Sequence, residues 1–247
     1  MMKIRQAVDA YNRVQEPYVV AYLDILGVTS RIKGNSIMQV DALNTIHNLF
    51  TSIFELADSQ KGTKKYSGIQ FKAFSDNIII AKKLSKNKVD DVEALLNCVS
   101  NFMCNTVGEG VCWLVRGGVT IDDFYIDDTV VWGPALVRAY EMENDEARFP
   151  RILLDVPIFD LFENSRINND YLCIDSDGKP FLNYMSIWHF AGRSVVEAFE
   201  IMKSEAQLSD GSYPESVFQK LKWHMQYINS QLEKKDEKGE RKFRLSM

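Results

Sequence analysis

The sequence predicts an α+β fold in which a mainly antiparallel sheet is covered by helices, with further helices at the C-terminus. Short apolar, β-branched runs alternate with amphipathic stretches of helical period, and turn signals join several of the runs into hairpins. The C-terminal part has helical period only. Hairpin strands pair antiparallel, and helices must bury their apolar stripes on the resulting sheet.

The elements follow from this pattern in order. A buried strand at 18–24 ends in Asp24, and a helix at 41–57 follows it. A hairpin at 69–81 places Asp76 near its tip, because Ser-Asp-Asn at 75–77 is prone to turn. The further predicted elements are a helix at 90–107, a strand at 111–119, a solvated acidic hairpin at 122–128, a strand at 129–132, a helix from 134 to about 143, a strand at 151–154, a helix at 157–162, a hairpin at 171–184, and helices at 193–205 and 214–233.

Length and composition indicate an ordinary globular protein. The chain has 247 residues, 46% of them hydrophobic and 26% charged, which favours one large domain with an appendage. We expect an N-terminal segment at 1–17, a main domain at 18–190, a C-terminal helical extension at 191–233 and a charged tail at 234–247.

Several classes of function are disfavoured. A net charge of −5 without a dense basic block argues against a nucleic-acid partner. No apolar run approaches the roughly 20 residues of a membrane span, so no membrane partner is expected. Four cysteines without a CxxC pair or a secretory leader predict reduced, buried thiols and a cytoplasmic protein. Scattered histidines give zinc no support, and no G-x-S-x-G elbow indicates a hydrolase.

Asp24 and Asp76 are the residues that carry chemistry. Each ends an apolar strand, and if these strands are neighbours the carboxylates converge and repel, so they need a cation or a raised pKa. Oxygen ligands of this kind suit Mg²⁺ or Mn²⁺. The loop at 25–29 offers backbone N–H groups to phosphates, with Gly27 permitting close approach. From these residues alone, a helix cap at Asp24 and a simple turn at Asp76 remain the alternative.

Four segments resemble, in order, the conserved blocks of the class III nucleotidyl cyclases. They are YLDILGVT at 22–29, FSDN at 74–77, RGGV at 116–119, and WG at 132–133 followed by AYEME at 139–143. Four blocks in register across residues 18–145 form a more specific signal than any one block.

The resemblance implies a metal-dependent cyclase whose domain at 18–190 has the ferredoxin-like fold of that family. Asp24, Asp76 and the backbone carbonyl of Ile25 would hold two divalent ions, Mn²⁺ or Mg²⁺, against a nucleoside triphosphate. The resemblance also implies a homodimer with its sites at the subunit interface. The expected substrate-binding residues are Ile25, Leu26, Gly27, Lys72, Phe74 and Arg116.

Three positions depart from the purine cyclases. Val130, Val137 and Glu141 stand where those enzymes carry a base-reading Asp or Thr, a ribose-orienting Asn and a transition-state Arg. Lys72 stands where adenylyl cyclases keep a base-reading lysine, although a surface lysine on a strand is the alternative.

VVWGPAL at 130–136, RAYEME at 138–143 and WHMQYIN at 223–229 are similar to a specific branch, the pyrimidine cyclases of bacterial anti-phage (Pycsar) defence. The implied reaction is attack of the ribose 3′-OH of UTP, in preference to CTP, on its own α-phosphate. It yields a 3′,5′-cyclic monophosphate, a second messenger for a separate effector, and pyrophosphate. The alternative is a catalytically silent cyclase-like module that binds a nucleotide or a partner, which the missing Asn and Arg motivate.

Cyclisation also needs positive charge beyond the metal ions. The candidates are Arg116, Arg138, Arg148 and Arg151. We predict Arg151, which begins a strand, as the catalytic arginine, and surface or interface ion pairs for Arg116 and Arg138.

Overall fold

A seven-stranded sheet in the order β2-β3-β1-β4-β7-β9-β8 forms the centre of the fold. The computed structural model describes residues 16–59, 67–108, 111–164, 167, 169–187, 191–236 and 245–247. The strands are β1 (Pro17–Ile25), β2 (Ile69–Phe74), β3 (Asn77–Lys83), β4 (Val115–Asp123), β5 (Tyr125–Ile126), β6 (Val131–Trp132), β7 (Ile152–Leu154), β8 (Leu172–Ile174) and β9 (Pro180–Leu182), of which β5 and β6 form a separate hairpin.

Helices flank the sheet. They are α1 (Val28–Ile32), α2 (Ser36–Ser59), α3 (Lys88–Val107), α4 (Pro134–Glu141), α5 (Val156–Asn164), α6 (Ala191–Ala206) and α7 (Glu215–Asp236). A π-helical turn at Met142–Glu146 continues α4, and 3-10 turns cover Asn169–Tyr171 and Tyr184–Ile187.

Strand pairing confirms the predicted α+β class. Every pair in the large sheet is antiparallel except β4 with β7. The chain between these two parallel strands carries the small hairpin, α4 and the π turn, because parallel neighbours need a long crossover connection.

The alternation of side chains along β1 divides the interior into two cores. Val19 and Leu23 point into the larger core, with apolar residues of α3, α6 and α7. Val20 and Tyr22 point to the opposite face, where Ala139 of α4 packs. Asp24 continues this second series, so the carboxylate that ends β1 lies on the α4 face of the sheet.

Some predicted boundaries are wrong. The helix predicted at 41–57 starts at Ser36, because its first turns carry exposed apolar residues, such as Ile37 and Val40, that give no core-facing pattern. The short α1 was not predicted, and β4 continues through Asp122 and Asp123, which had been assigned to an acidic hairpin. Residues 1–15 of the predicted N-terminal segment and residues 237–244 of the predicted tail lie outside the described residues.

Two further expectations concern cysteines and membranes. All four cysteines are free thiols; Cys98 and Cys112 are buried, whereas Cys104 and Cys173 are only partly buried. In the described part of the chain, no helix is both long enough and apolar enough to cross a bilayer.

Candidate active site

Asp24 and Asp76 lie at the same end of the adjacent strands β1 and β3, with Asp76 in the turn that precedes β3. Asp24 is opposite Asn77 in the β1–β3 register, and the Ile25 N–H donates to the Asp76 carbonyl oxygen at 2.9 Å. The β2–β3 turn is tight, with Ser75 in the left-handed region at φ 55°. The charge of Asp76 contributes to the raised pKa of the Asp24 carboxyl.

A transverse row across four strands collects several predicted residues. Phe74 pairs with Asn77 on β3, Asn77 with Asp24 on β1, and Asp24 with Arg116 on β4. Paired residues share a sheet face, so the three predicted residues Phe74, Asp24 and Arg116 lie side by side on the α4 face. Lys72, in the next row, lies on the same face.

Arg116 connects two acids. Its Nε atom is 3.2 Å from Asp24 Oδ2 and 2.6 Å from Glu143 Oε1. The contact with Asp24 is a hydrogen bond, whereas Glu143 Oε1 is buried without hydrogen-bond geometry, so that contact is an ion pair by distance. Arg116 opposes the effect of burial, which is the largest cause of the raised pKa of Asp24.

Glu143 belongs to the site although its role was not predicted. It lies in the π turn and is only 3% exposed. Burial raises the pKa of Glu143 to about 7, the charge of Arg116 opposes this shift, and the charge of Asp24 and a hydrogen bond with it add to it. A sequence signal was present: an acidic residue follows Ala135, Ala139 and Met142 on the buried side of a helical period.

Two glycines of β4 permit close approach, Gly118 of the helical layer and Gly117 of the neighbouring strand β1. A Cβ atom on Gly118 would lie 2.5 Å from Met142 Cβ and 2.9 Å from the Ala139 carbonyl oxygen. A Cβ on Gly117 would lie 2.4 Å from the Tyr22 carbonyl oxygen. Because α4 and the π turn rest directly on the β4 backbone, Glu143 comes within reach of Arg116 and Asp24.

Tyr22 and Asn77 hold the turn that carries Asp76. The Tyr22 hydroxyl donates to Asn77 Oδ1 at 2.8 Å, and Asn77 Nδ2 donates to Asp76 Oδ1 at 3.2 Å. Burial first, and then the nearby acids, raise the pKa of Tyr22 to about 12, so its hydroxyl stays protonated as a donor.

Two backbone N–H groups of the loop after Asp24, predicted to be available for phosphate, form hydrogen bonds within the protein. The Ile25 N–H binds Asp76 as described, and the Leu26 N–H donates to the Leu114 carbonyl oxygen at 2.8 Å. The prediction of phosphate-binding N–H groups therefore narrows to those that follow Leu26. Gly27 adopts φ +90°, and a Cβ there would meet no atom within 4 Å, so open space lies over it.

Two predicted residues have other partners. Lys72 Nζ donates to the Asp128 carbonyl oxygen at 2.9 Å, beside the small hairpin. Arg151 is 2% exposed, and its guanidinium binds the carboxylates of Asp175 and Asp177 at the β8–β9 hairpin. These contacts give Arg151 a structural position and leave its predicted catalytic role without a supporting contact.

The donor set fits a hard divalent cation. Carboxylate and carbonyl oxygens are the ligands that Mg²⁺ and Mn²⁺ prefer, usually together with water and substrate phosphates. Burial is the largest cause of the raised pKa of Asp24, the charge of Asp76 adds to it, and a bound cation would favour the ionised carboxylate against both effects. No group of three or more His, Cys, Asp or Glu side chains placed to hold a metal occurs among the described residues, so a cation bound here would need further ligands.

Comparison with known proteins gives distant structural likenesses only. No family model and no curated protein matches the sequence. The adenylyl cyclase CyaB from P. aeruginosa is similar over 68% of this chain and 93% of its own, with 14% identity and a TM-score of 0.46. The catalytic core of a rhodopsin-guanylyl cyclase with converted specificity, in complex with ATPαS, is similar over 68% of this chain and 95% of its own, with 14% identity and a TM-score of 0.45.

A third likeness is to a class III adenylyl cyclase-like ATP-binding protein from Pseudomonas aeruginosa, over 74% of this chain and 40% of that one, with 10% identity and a TM-score of 0.47. These three proteins are cyclases or cyclase-like by name, and none shares more than 14% of its aligned residues with this chain.

Proposed function

We propose that this protein is a metal-dependent nucleotidyl cyclase of the class III type. The observation that carries the proposal is the position of Asp24 and Asp76 at the same end of two adjacent strands, with Arg116 paired opposite Asp24. Acidic metal ligands beside a fixed cation are the groups that phosphoryl transfer requires. The resemblance of four sequence blocks to this family supports the same reaction.

The residues have separate roles in this proposal. Asp24, Asp76 and the Ile25 carbonyl would hold the two ions, which when bound polarise the phosphate oxygens and neutralise the leaving pyrophosphate. Arg116, and not Arg151, supplies the fixed positive charge for the α-phosphate, and Glu143 orients Arg116. The ribose 3′ oxygen bonds to the α-phosphorus, the bond to the bridging oxygen breaks, and the hydroxyl proton passes to water.

The proposed substrate is UTP, in preference to CTP. Val130 and Val137 are exposed apolar residues, and neither offers a hydrogen bond to a purine base or a ribose. The resemblance to the pyrimidine cyclases of anti-phage defence supports a cyclic pyrimidine messenger that acts on a separate effector.

An exposed apolar surface supports a homodimer with sites at the interface. We call it the dimer face, and it consists of Phe74, Val130, Trp132, Val137 and Tyr140. Trp132 is 65% exposed, and isolated proteins rarely leave such a set uncovered. The Tyr140 ring packs edge-on against Tyr22 at 5.5 Å, which connects the dimer face to the residues around Asp24.

The test is turnover of each of the four ribonucleoside triphosphates with Mn²⁺, with cyclic products identified by mass spectrometry. We expect cyclic UMP from the wild type and none from Asp76→Asn, with unchanged melting temperature in the absence of metal. Asp122→Asn, exposed at the opposite end of β4, is the matched control and should keep full activity.

Other outcomes decide between the alternatives. A cyclic purine would overturn the pyrimidine assignment but not the cyclase. No turnover, together with Mn²⁺-dependent nucleotide binding, would favour the silent module, which the absence of Asn and Arg at positions 137 and 141 motivates. Full activity of Asp76→Asn would contradict the metal site itself.

A further inference from the structure

A pocket of about 280 Å³ lies between the loop that follows Asp24 and the C-terminal helices. Leu26 and Gly27 line it on one side, and Val217, Lys220 and Leu221 of α7 line it on the other. Gly27 lines the pocket, and a Cβ atom on it would meet no atom within 4 Å. The pocket therefore begins two residues beyond the proposed metal ligand Asp24.

Lys220 is a half-buried cation in this pocket. It lines the wall opposite Leu26 and Gly27; burial lowers the pKa of Lys220, the charge of Arg116 lowers it further, and the charge of Asp24 raises it. Within the described part of the chain, no carboxylate forms an ion pair with Lys220. A partly desolvated ammonium group without a counter-ion is a candidate for binding an anion.

The other cation of the pocket has its partner already. Arg31 binds Glu205 of α6 at 2.5 Å and lies 4.9 Å over the Trp113 ring. This pair connects α1 to α6 and closes one wall of the pocket. Lys220 is thus the cation of this wall that remains available to a ligand from solvent.

We propose that Lys220 binds the terminal phosphates of the substrate, and the pyrophosphate that leaves, in the pocket over Gly27. This inference rests on the proposed function, since the α-phosphate must lie at Asp24 for the rest of the triphosphate to extend over Gly27. An ammonium group on a flexible stem suits phosphate as a point charge. The C-terminal helices then form part of the catalytic unit and are more than an appendage to it.

The experiment measures binding of inorganic pyrophosphate with Mn²⁺ by isothermal titration calorimetry. Lys220→Gln keeps most of the methylene stem that packs in the pocket and removes the charge. We expect pyrophosphate affinity to fall about tenfold, the size expected when a charged hydrogen bond is lost. The KM for UTP should rise by a similar factor, and Lys220→Arg should restore most of both.

Lys222→Gln is the matched control, because Lys222 is exposed two residues further along the same helix. It should bind pyrophosphate as the wild type does. Equal affinity of Lys220→Gln and Lys222→Gln would overturn the inference, even if the wild type is an active cyclase. A wild type that binds no pyrophosphate would overturn it as well.

The inference and the proposed function can fail separately. If Lys220→Gln alone loses pyrophosphate affinity while the wild type cyclises no triphosphate, the phosphate site stands and the cyclase proposal falls. If Lys220→Gln loses its fold, shown by circular dichroism, the comparison passes to Lys220→Arg against Lys220→Met. Pyrophosphate affinity that Lys220→Arg retains and Lys220→Met loses would then support the site, and equal affinity of the two variants would overturn it.

Discussion

Arg116 Nε lies 2.6 Å from Glu143 Oε1, so a strand cation and a buried acid of the π turn are held against each other beside Asp24. The same guanidinium reaches Asp24 at 3.2 Å. Arg116 thereby holds together Asp24 and Glu143, two acids that would otherwise repel each other. The position of each of these three residues depends on the other two.

Loss of Arg116 should destabilise the fold. Arg116→Met leaves two acids together without a counter-charge, and we expect the free energy of unfolding in urea to fall by about 2 kcal/mol, below the usual cost for a fully buried pair because Arg116 is partly exposed. In the double variant with Glu143→Leu, a coupling energy of about 1 kcal/mol or more is expected. Arg148→Met, at an exposed position, is the control, and strictly additive effects would contradict the cluster.

Arg151 should matter for stability and not for turnover. Arg151→Met leaves Asp175 and Asp177 without their buried partner, and we expect a loss of about 3 kcal/mol in unfolding free energy. The kcat of the folded fraction should stay within about threefold of wild type, which is less than 1 kcal/mol of barrier. A loss of turnover of about a hundredfold or more in a fully folded variant would restore the catalytic role first predicted for Arg151.

His224 should make stability depend on pH. Burial lowers the pKa of His224 to about 3, while its ordinary value is 6.5. Between these values the unfolded chain binds a proton that the folded protein does not, so stability is lost as pH falls below about 6.5, by up to about 1.4 kcal/mol per pH unit. When the free energy of unfolding in urea is measured from pH 7 to pH 5, it should fall less steeply with pH for His224→Gln than for the wild type.

The matched control for this measurement is His47→Gln on the exposed side of α2, which should keep the slope of the wild type. Equal slopes for His224→Gln and the wild type would contradict a buried neutral imidazole. His224→Gln also loses the hydrogen bond between Tyr184 and His224, which is 2.8 Å long. This loss should lower the free energy of unfolding equally at every pH, so it does not change the dependence of stability on pH.

Trp132 should determine the oligomeric state. Trp132→Glu places a charge on the dimer face, and we expect dissociation to monomers in analytical ultracentrifugation together with loss of activity. Leu43→Glu is a matched control, because Leu43 on α2 is 67% exposed, much as Trp132 is. A dimer that survives Trp132→Glu, or one that Leu43→Glu dissociates instead, would place the interface elsewhere.

Much of the sheet could be predicted because its strands carry their own pattern. The apolar run of β1 and the turn before Asn77 determined where Asp24 and Asp76 lie, and antiparallel pairing brought Phe74 and Arg116 into the same row. These relations depend on alternation and turn chemistry, which are local properties of a sequence.

What could not be predicted depends on distant partners. The carboxylates that bind Arg151 follow it by 24 and 26 residues, in a hairpin whose approach to β7 no local pattern reveals. The inward direction of Glu143 depends on the π turn, in which the Ala147 N–H binds the Met142 carbonyl oxygen five residues back. Lys220 lines the pocket beside Gly27 only because α7, which is distant in sequence, lies next to the loop that follows β1.

The close approach at Gly118 has a mechanical consequence. Because Gly118 has no side chain, Met142 of the π turn and the Ala139 backbone of α4 pack directly on the β4 strand, and packed interiors compress little. A partner subunit that contacts the outer side of α4, where Val137 and Tyr140 lie, would therefore displace α4 and the π turn together. This displacement would move Glu143 relative to Arg116 and so change the charge near Asp24.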